Sequence, residues 1–131
     1  MRTLTEEIDV VAGVAPQDIG TADVTGTYIL VSNYKTLLAT LITASLTAGK
    51  VATIELLQAT SSAGANAKAL KAAVTATAPN GNGVVKAEVG VTMDELDTNN
   101  GFIYVAAKVT CNEDAKVGAV TIALGGKRYS A

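Results

Sequence analysis

The chain has no histidine and no tryptophan, and its one cysteine is Cys111. Chemistry must therefore come from carboxylates, lysines, hydroxyls or backbone groups, because imidazole metal sites, Ser-His-Asp triads and Cys-His pairs are excluded. Cys111 falls on the inward row of a predicted strand with no base to hold a thiolate, and it reads as a core thiol. Asp94, Glu95, Asp97, Asn99 and Asn100 have the oxygen content of a calcium loop. Counted from Asp97, however, the fifth position is Gly101 and the twelfth is Lys108. The alternating ligands and closing bidentate Glu of an EF-hand are missing. A capped turn leading into an Asn-Gly loop accounts for the cluster. Glu55 and Glu88 could form a carboxylate pair for glycoside hydrolysis, but both take outward strand positions, where a charge keeps a surface wet. Gly81, Gly83, Gly125 and Gly126 follow no Walker or GxGxxG spacing, so no phosphate loop is predicted. Lys127-Arg128 is a basic pair that suits either a solvated end or an acidic partner. These residues point to a protein that is not an enzyme, with no catalytic, cofactor-binding or metal-binding residues.

The elements that carry them belong to a single-domain length of 131 residues, 49% hydrophobic and 17% charged. That is too apolar for a disordered chain. A net charge of -2 supplies no drive toward nucleic acid or an anionic membrane. The opening MRTLTEEIDVV lacks the charged, apolar, small-residue progression of a secretory signal. The apolar run Leu37 to Leu46 is too short to span a bilayer. One cysteine rules out an internal disulfide and suits synthesis in a reducing cytoplasm.

Period-two alternation is the dominant pattern. From Gly101 to Asn112, Ile103, Val105, Ala107, Val109 and Cys111 form one row, against Phe102, Tyr104, Ala106, Lys108 and Thr110. Val84 to Val91 places Val85, Ala87, Val89 and Val91 inward, and Val51 to Gln58 does the same with Ala52, Ile54 and Leu56. Val120, Ile122 and Leu124 alternate with Thr121 and Ala123. Lys35 to Leu46 nearly fits a helical stripe, but its threonines favour a long strand buried on both faces. Ala69 to Thr77 is read as one strand with Leu70, Ala72, Val74 and Ala76 inward. Asn80-Gly81, Asn82-Gly83 and Asn100-Gly101 are turn dipeptides, and Pro79 ends the strand before them. Thr92 followed by Glu95 is a capping box over one short helical turn. The pattern predicts an all-β antiparallel sandwich of jelly-roll or Greek-key type, with about seven to eight strands.

Residues 1–26 differ from the rest. They hold Glu6, Glu7, Asp9, Asp18 and Asp23 and four loop-forming Gly or Pro residues, and they read as an N-terminal arm or edge segment before a sandwich over residues 27–131. Aromatics are only 4% of the chain, so a core of Ala and Val has little energy to spare. Outward alanines at Ala73, Ala106, Ala119 and Ala123 leave flat faces that a further subunit would bury. A homo-oligomer is expected.

Three segments carry a resemblance. Ile54 to Leu70 reads IELLQATSSAGANAKAL, Asp97 to Asn112 reads DTNNGFIYVAAKVTCN, and the ending reads GGKRYSA. Together, over roughly Tyr28 to Ala131, they resemble small virion structural proteins of tailed bacteriophages, most of all the capsid decoration (cement) proteins. That resemblance implies a non-enzymatic module on the outer capsid surface, made in the host bacterial cytoplasm. Its partner would be the major capsid protein, and it would act as a homo-oligomer, with a trimer favoured over a dimer. Contacts would come from Ile8, Asp9, Val10 and Val11 of the N-terminal segment and from Tyr104, Lys127, Arg128 and Tyr129. The same likeness tolerates a tail, head–tail joining or baseplate component. A carbohydrate-binding β-sandwich module, which a phage surface can also carry, is the other rival, disfavoured by the lack of Trp for a sugar platform.

Overall fold

A computed structural model describes residue 3 and residues 8–78 and 83–126. Ten strands occupy it: β1 (Ile8–Asp18), β2 (Val24–Thr25), β3 (Ile29–Leu30), β4 (Thr36–Thr43), β5 (Val51–Ala59), β6 (Lys68–Ala69), β7 (Val74–Thr77), β8 (Lys86–Thr92), β9 (Tyr104–Cys111) and β10 (Val117–Gly125). All pairings are antiparallel. The first sheet has the order β1-β10-β4-β8. In the second, β9 and β5 are central, β2 and β3 both pair with β9, and β6 and β7 both pair with β5.

Because β2 with β3 and β6 with β7 each fill one position beside a central strand, the ten strands make eight lanes. Numbered along the chain, these run 1-8-3-6 in one sheet and 2-7-4-5 in the other. That is the jelly-roll order. Residues Ile8–Asp18 supply the outer lane of the first sheet, and Val24–Thr25 begin the outer lane of the second.

The alternation of small and branched side chains builds the core. β4 turns in Leu37, Ala39 and Leu41, β10 turns in Val120, Ile122 and Leu124, and β8 turns in Ala87, Val89 and Val91, all buried. Opposite them lie Ala52, Ile54 and Leu56 of β5 and Val105, Ala107, Val109 and Cys111 of β9. Each buried Leu or Ile contributes about 1.5–3 kcal/mol, and the intervening alanines let the two layers approach closely. Cys111 is a buried free thiol, as its inward position predicts.

Several expectations are corrected. β4 is buried on one face only: Leu38 and Ile42 point out of the first sheet and are exposed, because the second layer lies on the other side. The stretch Ala69 to Thr77 is not one continuous strand. Register against β5 changes between Leu57↔Ala69 and Ile54↔Val74, and the extra residues loop out with Ala72 exposed. Ala106 is outward by register yet fully buried. Near it, the loop after β5 folds back so that Gly64 abuts the ring of Tyr28. Phe102 is also buried, under the Lys68 ammonium 4.2 Å from its ring centre. The single helical turn becomes two short 3-10 turns, Met93–Glu95 and Thr98–Asn100. Thr92 N donates to Glu95 Oε2 at 2.7 Å, closing that half of the expected capping box, and the Thr92 hydroxyl donates to Asp94. Gly101 ends the second turn with φ 82°, a left-handed conformation that favours glycine. Pro79, Asn80, Gly81 and Asn82 lie outside the described residues. No helix among the described residues is long and apolar enough to cross a membrane.

Candidate interaction surface

Among the residues expected to make contacts, Ile8, Asp9, Val10 and Val11 open β1 at the edge of the first sheet. Val11 packs against the core, Val10 opposite Ala123 is exposed, and Ile8 lies outward beside Gly125. Asp9 accepts a hydrogen bond of 2.5 Å from the Tyr34 hydroxyl. This bond, followed by burial, holds the Tyr34 phenol above its ordinary pKa. It ties the start of β1 to the loop before β4. Tyr104 lies on the other sheet, between Leu30 and Ala59, so the fold does not bring it together with the β1 residues. Lys127, Arg128 and Tyr129 lie outside the described residues.

The residues with catalytic potential are dispersed. Glu55 stands opposite Lys108 in the register of the second sheet, whereas Glu88 projects from the first. With a two-layer sandwich between them, these carboxylates cannot flank one glycosidic bond. Asp97 accepts from Lys68 Nζ at 2.7 Å and from Asn100 Nδ2 at 2.9 Å. Those contacts, the lysine foremost, hold its carboxyl below the usual range. No group of three or more acidic or thiol side chains among the described residues is placed to hold a metal ion. Clefts among the described residues include the following two. One of about 340 Å³ runs between β1 and β2, along Ala12 to Ala15 and Thr25 to Thr27. The other, about 200 Å³, lies among Val31, Ser32, Met93, Leu96, Thr98 and Ile103. No titratable side chain lines either.

Sequence reasoning marked Ala119 and Ala123 on the outer face of the first sheet but missed the large apolar side chains beside them. Val10, Leu38, Ile42 and Val117, four of the six large apolar side chains exposed among the described residues, all belong to that face. The remainder of the face is small, with Ala119, Thr121 and Ala123 on β10 and Gly90 on β8. β4 and β10 contribute no charge to it. Lys86 and Glu88 on β8 pair with each other at 3.2 Å. The signal was the alternation inside β4, obscured because both of its rows contain Leu or Ile.

No family model matches the chain, and no curated protein is similar to it in sequence. Its fold is similar to that of a chain from infectious bursal disease virus, Gx strain, with a TM-score of 0.50 and 8% identity. That likeness covers 95% of this chain and 33% of the viral one, so the chain spans about a third of the viral protein's length. A chain from empty particles of cowpea mosaic virus matches with a TM-score of 0.47 and 7% identity, over 88% of this chain and 82% of that one. A carbohydrate-binding module of the CBM28 type, specific for non-crystalline cellulose, gives 0.40 and 10%, over 83% and 65%.

Proposed function

We propose that this chain is a non-enzymatic structural protein of a tailed-phage virion that binds the outer surface of the head, contacts the major capsid protein and stabilises the expanded shell. The observation that carries the reading is the complete jelly-roll order. It is an architecture used by viral capsid domains, and its likeness to the bursal disease virus chain extends over nearly the whole of this one. The three motifs that resemble phage decoration proteins support it, and so does the dispersal of the carboxylates. The mechanism is additive burial. Many modest interfaces, each repeated over the lattice, bind the assembled shell and not its separated subunits, and so stabilise it by mass action.

The test is cosedimentation of the purified protein with empty expanded heads of the phage that carries it. Saturable binding and a higher disruption temperature of the heads are the expected results. Absence of binding to heads overturns the decoration role. Binding to isolated tails in its place assigns the chain to the tail, and retention on a glycan array without head binding assigns it to sugar recognition.

A further inference from the structure

We infer that two copies of this chain pair face to face through the outer surface of the first sheet, about a twofold axis that runs parallel to the strands between β4 and β10. This goes beyond head binding and does not depend on it, since pairing is read on the isolated protein.

The cross-strand register sets the relief of this face. One outward row reads Val10, Ala123, Leu38, Gly90 from β1 to β8. Large and small side chains alternate along it. Four residues further along β4, Ile42 stands beside Ala119. The β4 lane is therefore a ridge bearing Leu38 and Ile42, and beside it Ala119, Thr121 and Ala123 floor a groove on β10 that ends at the exposed Val117.

A twofold axis in the plane of the interface, set between these two lanes, places β4 of each copy over β10 of the other and β1 over β8. Leu38 then lies over Ala123 and Ile42 over Ala119. At the margins, Val10 lies over Gly90. Every large side chain of the row meets a small one, which is the self-complementarity that an isologous interface requires. Along the axis, Thr40 faces Thr121, giving hydroxyls that can satisfy one another.

Charge and area select a second copy as the occupant. β4 and β10 present nothing to attract an acidic or basic partner, and the charges on β8 are already paired within the chain. Four lanes spaced by about 4.8 Å and eight residues rising about 3.4 Å each give a face of roughly 500 Å². Two such faces bury about 1,000 Å², the least that a biological interface with good complementarity needs and more than the roughly 800 Å² of most packing contacts. The exposure of Val10, Leu38 and Ile42, at 62%, 41% and 50%, is the apolar surface that pairing would remove from water.

Sedimentation equilibrium of the full chain at about 10 µM should give twice the 13.2 kDa chain mass. Leu38→Lys and Ala123→Leu should each weaken the dimer at least about tenfold, the first by burying a charge and the second by filling the groove. The exchange variant Leu38→Ala with Ala123→Leu moves the ridge to β10 and the groove to β4, and should restore association to within about threefold of the native chain. Circular dichroism melts of the same samples establish that each variant is folded, and Leu38→Lys alone suffices if Ala123→Leu is not. A native monomer, a trimer, a dimer indifferent to these changes, or an exchange variant that folds without recovering association would overturn the inference.

Discussion

The carbonyl oxygen of Gly13 stands 1.7 Å from the point where a Cβ on Gly26 would be built. The backbones of β1 and of the strand entering the second sheet touch there, and Gly26 N is also held to Ala107 O at 2.9 Å. Retreat from Gly13 would break that bond. Gly26→Ala should therefore cost more than about 3 kcal/mol and lower the melting temperature by more than about 10 °C. Gly90→Ala, melted at a concentration low enough to keep the chain monomeric, is the matched control. A Cβ there would meet nothing closer than 3.7 Å, and its effect should stay within about 0.5 kcal/mol.

Tyr34 and Asp9 are 25 residues apart and joined by one hydrogen bond. Tyr34→Phe should lose about 1 kcal/mol near neutral pH. Because the phenol's pKa is raised in the fold, its contribution is complete below pH about 10 and is lost as pH rises through the higher folded value. Melting temperatures of the native chain and Tyr34→Phe, followed from neutral into alkaline buffer, should converge.

Acid should destabilise the protein through a different set of groups. Glu113 accepts from the Thr47 hydroxyl and amide, at 2.5 and 2.8 Å, which link the turn after β4 to the turn before β10. These contacts lower its pKa, and the Thr21 hydroxyl and the Gly20 amide lower that of Asp18. A carboxylate held below its unfolded value stabilises above pH about 4, and that stability disappears as pH falls through the folded value. Glu113→Gln should melt lower at pH 7 and show a shallower fall on acidification than the native chain. An unchanged slope would mean the link contributes nothing.

Gln58 occupies an inward position on β5 and is 5% exposed. Its Oε1 accepts from Asp97 N at 2.9 Å, and its Nε2 donates to Ala69 O at 3.4 Å. Gln58→Leu adds hydrophobicity but strips the Asp97 amide of its acceptor. It should destabilise by about 1–3 kcal/mol in chemical denaturation, against the sign that side-chain transfer alone predicts.

Local patterning made much of the sandwich legible. The inward rows of β5, β8, β9 and β10 follow directly from alternation, and Cys111 is buried where that alternation places it. β4 resisted because Leu38 and Ile42 are as apolar as Leu37 and Leu41 on the opposite row. Only the position of the second layer separates the two rows. Lane order was unreadable for a related reason. β1 pairs with β10 across the length of the chain, and the contacts that decide this are non-local. The outer apolar face inherits both difficulties, since it consists of residues from three such lanes.

The outer lanes also govern how copies of this chain can accumulate. β2 is broken from β3, β6 is broken from β7, and register shifts interrupt β1 after Ala12 and again after Val14. On β8, the ammonium of Lys71 occupies the Gly90 carbonyl at 2.9 Å. A foreign strand finds no long uninterrupted ladder at these margins, so sideways growth into fibres is disfavoured. A self-complementary face, once matched, leaves nothing open for a third molecule. Edges of this kind steer copies away from open-ended stacking through their strands and toward contacts between faces.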